Sequence, residues 1–261
     1  MTARLDHAVV VVRELGPAVR EFEAAGFTVV PGGRHEVLPT ENALVVFADG
    51  GYLELLATRE PATRDELRAL RDGEGWDRHL RGVSAVARRF LPLLAGPDGV
   101  ADWVIRSHAL ARDAARLRSQ GVPAAGPVAM QRTRPDGVRL AWDLLLPESF
   151  RHPFVIADRT PREQRVPTDA AVTTHANGAR GIAAVQVRVS VVPIAALELG
   201  ESLGVTPRLG AEGASRLDAD GWRVELHPGE PEGACGITIA GCATLPAEIS
   251  ALGVHGEGAH V

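Results

Sequence analysis

The residues of this chain best suited to chemistry are an imidazole and a carboxylate that each lie in an apolar run. His7 stands in "LDHAVVVV", directly after Asp6, and Glu54 stands in "YLELL", between two leucines. A carboxylate is costly to bury without a partner. Alternation along a strand predicts that Glu54 faces the same side as Tyr52 and Leu56. Histidine and carboxylate together suit a divalent metal, and either group can transfer protons.

Both residues also have simpler interpretations. His7 could be a strand-edge histidine that is hydrogen-bonded to the backbone or to Asp6. Glu54 could be a buried carboxylate that pairs with an arginine such as Arg34 or Arg132. The sequence leaves these alternatives open, because the choice depends on which elements meet in space.

The elements that must position these side chains repeat along the chain. Residues 4–58 contain a strand, an amphipathic helix ("ELGPAVREFEAAGF") and three further strand-like runs, which end in "YLELLA". Residues 100–158 repeat this βαβββ order from "ADWVIRS" to "HPFVIA". A third copy, 181–248, contains "IAAVQVRV", "PIAALELGESLG", "TPRL", "GWRVELH" and "GITIAG", with a short "SRLDA" between. Such a period indicates a repeated structural unit.

Three other segments separate or follow these units. An Arg-, Leu- and Ala-rich stretch at 63–94 is predicted to be a helical insertion between units one and two. Residues 160–180 are polar and contain prolines, so they are predicted to form an ordered surface linker. Residues 249–261 are predicted to be a flexible tail.

The repeat predicts an α+β fold. One βαβββ unit makes a curved mixed sheet with a helix on its convex side. Units one and two, within 1–160, are expected to wrap their open faces into a barrel-like cleft with the helices outside. A concave, mostly apolar cleft of this kind is the usual place for a small-molecule ligand. One ligand residue early in a unit and one late, such as His7 and Glu54, would meet in it.

Composition excludes several classes of protein. The chain has 261 residues, 45% of them hydrophobic, and a net charge of −5, which does not favour nucleic-acid binding. We expect neither a membrane span nor a signal peptide, and therefore a cytoplasmic location. All the cationic side chains are arginines, which is typical of a GC-rich bacterial genome and excludes lysine Schiff-base chemistry.

Several separated motifs resemble those of the glyoxalase-like branch of the vicinal oxygen chelate superfamily. They are "LDHAVVVV" through "YLELL" in unit one, "RTRPDGVRLAWDLLLP" and "HPFVI" in unit two, and "HANGARG" before unit three. The resemblance covers roughly residues 5–240. It implies a cleft between paired units in which many members hold Fe, Mn, Zn, Ni or Mg and bind adjacent substrate oxygens to that metal. Other members lack the metal and simply bind drugs.

The resemblance also implies a ligand set, and this chain has only part of it. His7 and Glu54 would be the metal ligands of unit one, and His152, just before "PFVI", would be a third. Aligning "LDHAV" with "ADWVI" places Trp103 where a second histidine would stand, and unit three has Ala184 there. Three protein ligands would suffice for a catalytic site, whereas two would be weak.

Two functions follow from this resemblance. The first is a metal-assisted lyase or isomerase that acts on a small, oxygen-rich substrate, with His7 and Glu54 as the catalytic residues. The alternative is a metal-free protein that sequesters a small molecule. Either function would use the same predicted substrate contacts, namely His35, Asn42, Tyr52, Trp103, Arg132 and Trp142.

The third unit has no partner unit within the chain. An exposed, apolar concave sheet would be a liability. We therefore expect a homodimer in which unit three pairs with its symmetry mate.

Overall fold

The first unit places His7 and Glu54 on neighbouring strands. The computed structural model describes residues 3–134, 136–210 and 215–258. Unit one consists of β1 (Arg4–Val11), α1 (Leu15–Ala24), β2 (Val30–Arg34), β3 (Thr40–Val46) and β4 (Tyr52–Thr58). β1 pairs in parallel with β4, and β4 pairs antiparallel with β3. His7 lies opposite Tyr52, and Val9 lies opposite Glu54. Because residues two apart on a strand point to the same side, the side chains of His7 and Glu54 are on the same face of this strand pair.

The helix of unit one begins and ends where its sequence predicts. Its buried residues are Ala18 and Phe22, which lie four positions apart on one face. The chain leaves the helix through Gly26, whose φ of +85° is in the left-handed region that favours glycine. A side chain there would also meet the backbone of Asn177, 3.0 Å away, so this turn packs closely against the later linker.

The insertion and unit two follow. The insertion forms α2 (Pro61–Asp72), α3 (Trp76–Gly82) and α4 (Ala85–Ala95). Unit two consists of β5 (Gly99–Arg106), α5 (Leu110–Ser119), β6 (Ala124–Thr133), β7 (Arg139–Pro147) and β8 (Phe154–Asp158). Among the described helices, none combines the length and the hydrophobicity needed to cross a membrane.

Units one and two form one curled sheet. Its eight strands run in the order β2-β3-β4-β1-β5-β8-β7-β6. The first strands of the two units, β1 and β5, pair antiparallel at the centre, and β8 runs parallel to β5 as β4 does to β1. The predicted α+β fold with a half-barrel of paired units is therefore confirmed.

The two faces of this sheet have different partners. The convex face, which carries Ala8, Val10 and Leu53, packs on α1 and α5 in one continuous core with the third unit. The opposite face, which carries His7, Val9 and Glu54, is here called the cavity face. Its apolar part packs on α4, so one helix of the insertion lies inside the half-barrel rather than outside it.

The linker and the last part of the chain make a second sheet. The linker contains two short helices, α6 (Arg162–Arg165) and α7 (Ala170–Thr173). They are followed by β9 (Gly181–Val189), α8 (Val192–Leu203), β10 (Pro207–Leu209), β11 (Ser215–Asp218), β12 (Arg223–Pro228), β13 (Gly233–Ala240), α9 (Ala247–Ala251) and β14 (Val254–Gly256). The order in this sheet is β10-β11-β12-β9-β13-β14.

The third unit ends at β12, one strand earlier than the expected unit 181–248. β12 pairs in parallel with β9, as β4 does with β1, so "RVELHP" is its last strand and "SRLD" is a full strand. β13 ("GITIA") instead pairs antiparallel with β9 and in parallel with β14, as β5 pairs with β1 and β8. It therefore opens a shortened fourth unit, β13-α9-β14. The predicted flexible tail contains part of α9 and all of β14, and residues 259–261 lie outside the described part.

The second sheet does not present the apolar face that led us to expect a homodimer. Its register places Gln186 opposite Glu225 and Ala184 opposite Arg223, on the face that corresponds to the cavity face of the first sheet. Arg223 Nε donates to Glu225 Oε1 at 2.5 Å, and Gln186 Nε2 donates to Thr238 Oγ1 at 3.0 Å. Because the described residues make this face polar, it does not require a second copy to cover it.

A buried ion pair fixes α4 to the sheet. Arg89 Nε and Nη2 donate to the two carboxylate oxygens of Asp102 at 2.7 Å each, and both side chains are almost fully buried. The same guanidinium donates to the carbonyl oxygens of Pro147 and His152. A single arginine therefore holds the insertion, β5 and the β7–β8 loop together.

We expect Arg89→Met to lower the free energy of unfolding by about 3–5 kcal/mol, because it leaves Asp102 buried without a counter-charge. Urea denaturation measures the difference. Arg88→Met is the matched control, since Arg88 is the exposed neighbour in the same helix and should change stability by less than about 1 kcal/mol. Equal losses in the two variants would contradict the anchoring role.

Candidate functional site

A cavity lies between the cavity face and α4. Its volume is about 80 Å³, which is room for a few waters or one small molecule. The polar part of its wall comes from unit one, namely His7, His35, Thr40, Asn42, Tyr52 and Glu54. The apolar part comes mainly from α4 (Val86, Phe90) and unit two (Met130, Trp142, Leu144, Phe154, Ile156). Two arginines, Arg132 and Arg165, also line it.

His7 is held between two carboxylates. Its Nδ1 lies 2.8 Å from Asp6 Oδ1, and its Nε2 lies 3.4 Å from Glu54 Oε2. The ring stacks on Tyr52 with centroids 4.4 Å apart, so its orientation is fixed. Burial alone would lower the pKa of His7, but the bonds to Asp6 and Glu54 raise it above its ordinary value. The protonated imidazole is thus favoured at the point where it reaches the cavity.

Asp6 has no exposed surface and is shared by three arginines. Arg106 Nε lies 3.2 Å from its Oδ2, Arg165 Nη1 lies 3.4 Å from its Oδ1, and Arg162 also donates to Oδ2. Burial alone would raise the pKa of Asp6, but Arg165 and its other partners hold it well below its usual value. Asp6 is therefore a fixed negative charge behind His7.

Two of these arginines come from the linker. Arg162 and Arg165 belong to α6, and Arg165 also donates to Asp158 at 2.7 Å and to the Tyr52 hydroxyl at 2.7 Å. The polar, proline-containing sequence of this segment predicts a surface linker, whereas the structure shows that it contributes two arginines to the site. The sequence signal for this role is "PREQR", in which Arg162 and Arg165 are three residues apart. In a helix, residues with this spacing lie on one side, so both arginines can reach the same partner.

Glu54 is buried and has three polar neighbours. Asn42 Nδ2 donates to its Oε1 at 2.5 Å, His35 Nε2 lies 3.8 Å from the same oxygen, and His7 faces Oε2. Burial alone would raise the pKa of Glu54, but these partners, His7 first, lower it to about 2. In the described part of the chain no arginine lies within 4.0 Å of this carboxylate, so its predicted pairing with Arg34 or Arg132 does not form.

His35 is the second imidazole of the cavity. Its Nδ1 lies 2.9 Å from Thr40 Oγ1, which leaves Nε2 directed toward Glu54. Burial, assisted by Arg132, lowers the pKa of His35. The two histidines therefore differ: the pKa of His7 is raised and that of His35 is lowered, so His35 is the better hydrogen-bonding group in its neutral form.

Two predicted site residues lie elsewhere. Trp103 is fully buried on the convex face, where its ring meets Trp222 of the third unit at 5.9 Å. Val104, one residue later, is the residue of β5 that lies opposite His7. The alignment that placed Trp103 at the histidine position is out of register with the cavity face, and a shift of one residue reverses the direction of every side chain.

His152 is also outside the cavity. It is 1% exposed in the β7–β8 loop, and neither ring nitrogen has a hydrogen-bond partner among the described residues. Burial, together with the nearby Arg151 and Arg89, lowers its pKa to about 4. The structure therefore does not bring the predicted third ligand to His7 and Glu54.

The donor set does not fit a resident metal. Within the described ranges, no group of three or more His, Cys, Asp and Glu side chains is arranged to hold one. Unit two contributes apolar side chains and Arg132 to the cavity, and a positive charge there opposes a cation. His7 and Glu54, the two best donors, are already engaged with each other.

The family of the chain follows from a match over most of its length. The model of the family described as "Glyoxalase-like domain" matches residues 5–203. This chain belongs to the glyoxalase-like domain family. No curated protein matches the chain significantly. The match extends through both units of the half-barrel, the linker and the beginning of the third unit.

Solved structures share the fold at low sequence identity. A hypothetical protein from Staphylococcus aureus has a TM-score of 0.68 and 16% identity, over 92% of this chain and 91% of that one. The Mn(II)-bound glyoxalase from Novosphingobium aromaticivorans has a TM-score of 0.50 and 10% identity, over 92% and 65%. A xylose isomerase-like TIM barrel/4-hydroxyphenylpyruvate dioxygenase fusion protein has a TM-score of 0.52 and 13% identity, over 92% and 36%. These likenesses show the fold.

The contacts of Asp6 predict the protonation of His7. In Asp6→Asn we expect the pKa of His7 to fall, because the charge that favours its imidazolium is removed. Titration of the ring nitrogens by NMR measures this pKa. In the wild type, the raised pKa adds stability below about pH 6.5 that is lost as pH rises through the folded-state value. This dependence should shrink in the variant.

Asp77→Asn, at an exposed position in α3, is the control and should leave the pKa of His7 unchanged. Glu54→Gln removes the other carboxylate near His7 and should also lower the pKa of His7, and it leaves the ion pairs between Asp6 and its three arginines in place. An unaltered His7 titration in both Asp6→Asn and Glu54→Gln would disprove the assignment.

Proposed function

We propose that this glyoxalase-like chain is an isomerase- or lyase-type enzyme that moves a proton on a small carbonyl substrate bound in the cavity. The observation that carries the proposal is the buried row Asp6–His7–Glu54, which opens onto a mostly apolar pocket. A fixed acid–base pair in a water-poor pocket is typical of proton-transfer catalysis.

His7 is the proton donor in this proposal. Asp6 binds Nδ1 and keeps the ring in one orientation, so the proton on Nε2 points toward Glu54 and the cavity. Its raised pKa favours the protonated ring. When a carbonyl oxygen enters, Nε2 can donate to it and stabilise the negative charge that develops there.

Glu54 is the base. It is ionised at neutral pH because its pKa is held at about 2, and such a carboxylate is a weak base while it faces His7. A substrate oxygen that takes over the bond from His7 removes the main cause of that lowering, whereas burial, which raises the pKa, remains. Substrate binding therefore strengthens the base as it engages the acid.

The step balances with these two groups. Glu54 takes a proton from the carbon next to the carbonyl, and His7 gives a proton to the carbonyl oxygen, so an enol forms. Where the deprotonated carbon carries a hydroxyl, the enol is an enediol: Glu54 returns its proton to the former carbonyl carbon while the other hydroxyl gives its proton to His7, and an isomer forms. Where the next carbon carries a leaving group, the enol returns its proton to His7, the leaving group departs with the proton from Glu54, and an unsaturated carbonyl compound forms, which is a lyase reaction. Because the side chains of the cavity do not fit a resident metal, His7 and Glu54 carry this step themselves in the proposal.

The proposal predicts hydrogen exchange that needs no identified product. In D2O, the wild type should catalyse deuterium incorporation next to the carbonyl of at least one member of a panel of small 2-oxo and 2-hydroxycarbonyl compounds, followed by proton NMR. His7→Gln and Glu54→Gln should each lower this rate by about 10²–10⁴-fold. Glu41→Gln, a half-buried carboxylate on β3 whose side chain pairs with Arg34, is the control.

The pH profile tests the roles separately. Measured at low substrate concentration, where the rate reports the free enzyme, exchange should decline as pH rises above about 6.5 through the raised pKa of His7. It should show no acid limb between pH 4 and 6 under these conditions, since Glu54 is ionised there in the free enzyme. Compounds that stabilise the protein against heat without any exchange would instead favour the alternative, a binding module, for which the apolar wall is the supporting observation.

Metal analysis tests whether His7 and Glu54 hold a resident metal. Protein purified without chelator should contain less than stoichiometric Fe, Mn, Ni, Zn or Mg, and addition of these ions should neither raise its melting temperature nor accelerate exchange. Stoichiometric metal whose loss in His7→Gln and Glu54→Gln parallels the loss of exchange would restore the metal-assisted reaction.

A further inference from the structure

Arg132 is a buried cation without an acidic partner. It is 6% exposed, and in the described part of the chain no carboxylate oxygen lies within 4.0 Å of its guanidinium. Its Nε has no hydrogen-bond partner there, and Nη1 reaches only Asn42 Oδ1, at 3.3 Å. Arginine has five donors, so most of this group's capacity is unused.

The second cavity arginine is different. Arg165 binds Asp158 through Nε at 2.7 Å and Nη2 at 2.9 Å, and it also contacts Asp6. Its charge is therefore neutralised by the protein itself. Arg132 is left as the wall residue that makes no ion pair within 4.0 Å among the described residues, although the charge of Glu54 acts on it from a greater distance.

The chain makes room for this guanidinium. Arg132 Nη1 lies 3.3 Å from where a Cβ atom on Gly33 would be, and Gly33 has a φ of +134° that disfavours a side chain. A Cβ atom on the preceding Gly32 would collide with Asn42 Oδ1, the group that Arg132 contacts. The "PGG" segment of β2 thus lets Arg132 and Asn42 lie together at the wall.

We propose that Arg132 binds the carboxylate of the substrate, so that the ligand class is a small monocarboxylate with an apolar body and a carbonyl next to the acid. This deepens the proposed function and rests on it for the role of the carbonyl. A planar carboxylate can accept two parallel bonds from a guanidinium. The ionised Glu54 nearby disfavours a dianion, since one arginine balances one charge.

The geometry of the walls orders the three parts of such a ligand. In this proposal the acid binds at Arg132, the carbonyl faces His7 and Glu54, and the apolar body packs on apolar lining residues such as Phe90 and Trp142. A cavity of about 80 Å³ restricts the body to a few carbon atoms unless it extends through the mouth.

Calorimetric titration with 4-methyl-2-oxopentanoate and with its uncharged methyl ester tests the proposal. Wild-type protein should bind the acid at least about 10-fold more tightly than the ester. Arg132→Gln should weaken the acid by roughly 10- to 100-fold and leave the ester unchanged. Arg132→Lys should give an intermediate loss, because it keeps the charge without the paired donors.

Arg34→Gln is the matched control. Arg34 is the highly exposed arginine at the end of β2, so this variant should bind the acid as the wild type does. Arg132→Gln should also keep or raise the urea midpoint, because an uncompensated buried charge is removed. A lowered midpoint with an unchanged preference for the acid would show a structural role and overturn the proposal.

The two proposals can fail separately. If pyruvate, 2-oxobutanoate, phenylpyruvate and 4-methyl-2-oxopentanoate all bind no better than their esters, the carboxylate site is disproved even where neutral carbonyl compounds undergo exchange. If these acids bind through Arg132 but none exchanges in D2O, the carboxylate site stands and the enzymatic function is disproved.

Discussion

The charge of Asp6 is the interaction on which this structure depends. It has no exposed surface, it belongs to the first strand of unit one, and its partners come from three parts of the chain. Arg106 belongs to unit two, Arg162 and Arg165 belong to the linker, and His7 is its own neighbour. A buried carboxylate is stable only when such partners surround it. The same contacts that neutralise Asp6 therefore join the two units, close the linker over them and set the orientation of His7.

The sequence predicted the parts of this site that depend on local alternation. His7 and Glu54 share a face because side chains alternate along paired strands, and the cavity contains both. The arginine partners of Asp6 lie 100 to 159 positions away, and no local pattern indicates them. Trp103 shows the converse, since a plausible motif alignment placed it one residue out of register with the cavity face. "SRLD" is only four residues long, and its reading as a connector shifted the end of the third unit by one strand.

The second sheet repeats the geometry of the first without repeating its chemistry. Glu225 in β12 corresponds by register to Glu54 in β4, yet the position of His7 is taken by Ala184. Glu225 pairs with Arg223 at its own strand and is partly exposed, so no buried acid–base pair forms there. The third and fourth units instead contribute their apolar faces to the core under the convex side of the half-barrel. Their contribution to function is the support of that sheet rather than a second site.

The chemistry of the half-barrel comes from the difference between its two units. Two equivalent units would surround a ligand with matching donors, whereas here most polar side chains of the wall come from unit one, and unit two adds Arg132 and, with α4, most of the apolar side chains. Such an unequal wall favours one orientation of a ligand over the reverse. Arg132 has no carboxylate oxygen within 4.0 Å among the described residues, and burial lowers its pKa. Burying a charge without such a partner costs stability, and binding sites accept this cost because their polar groups are kept ready for a partner that the protein itself does not supply.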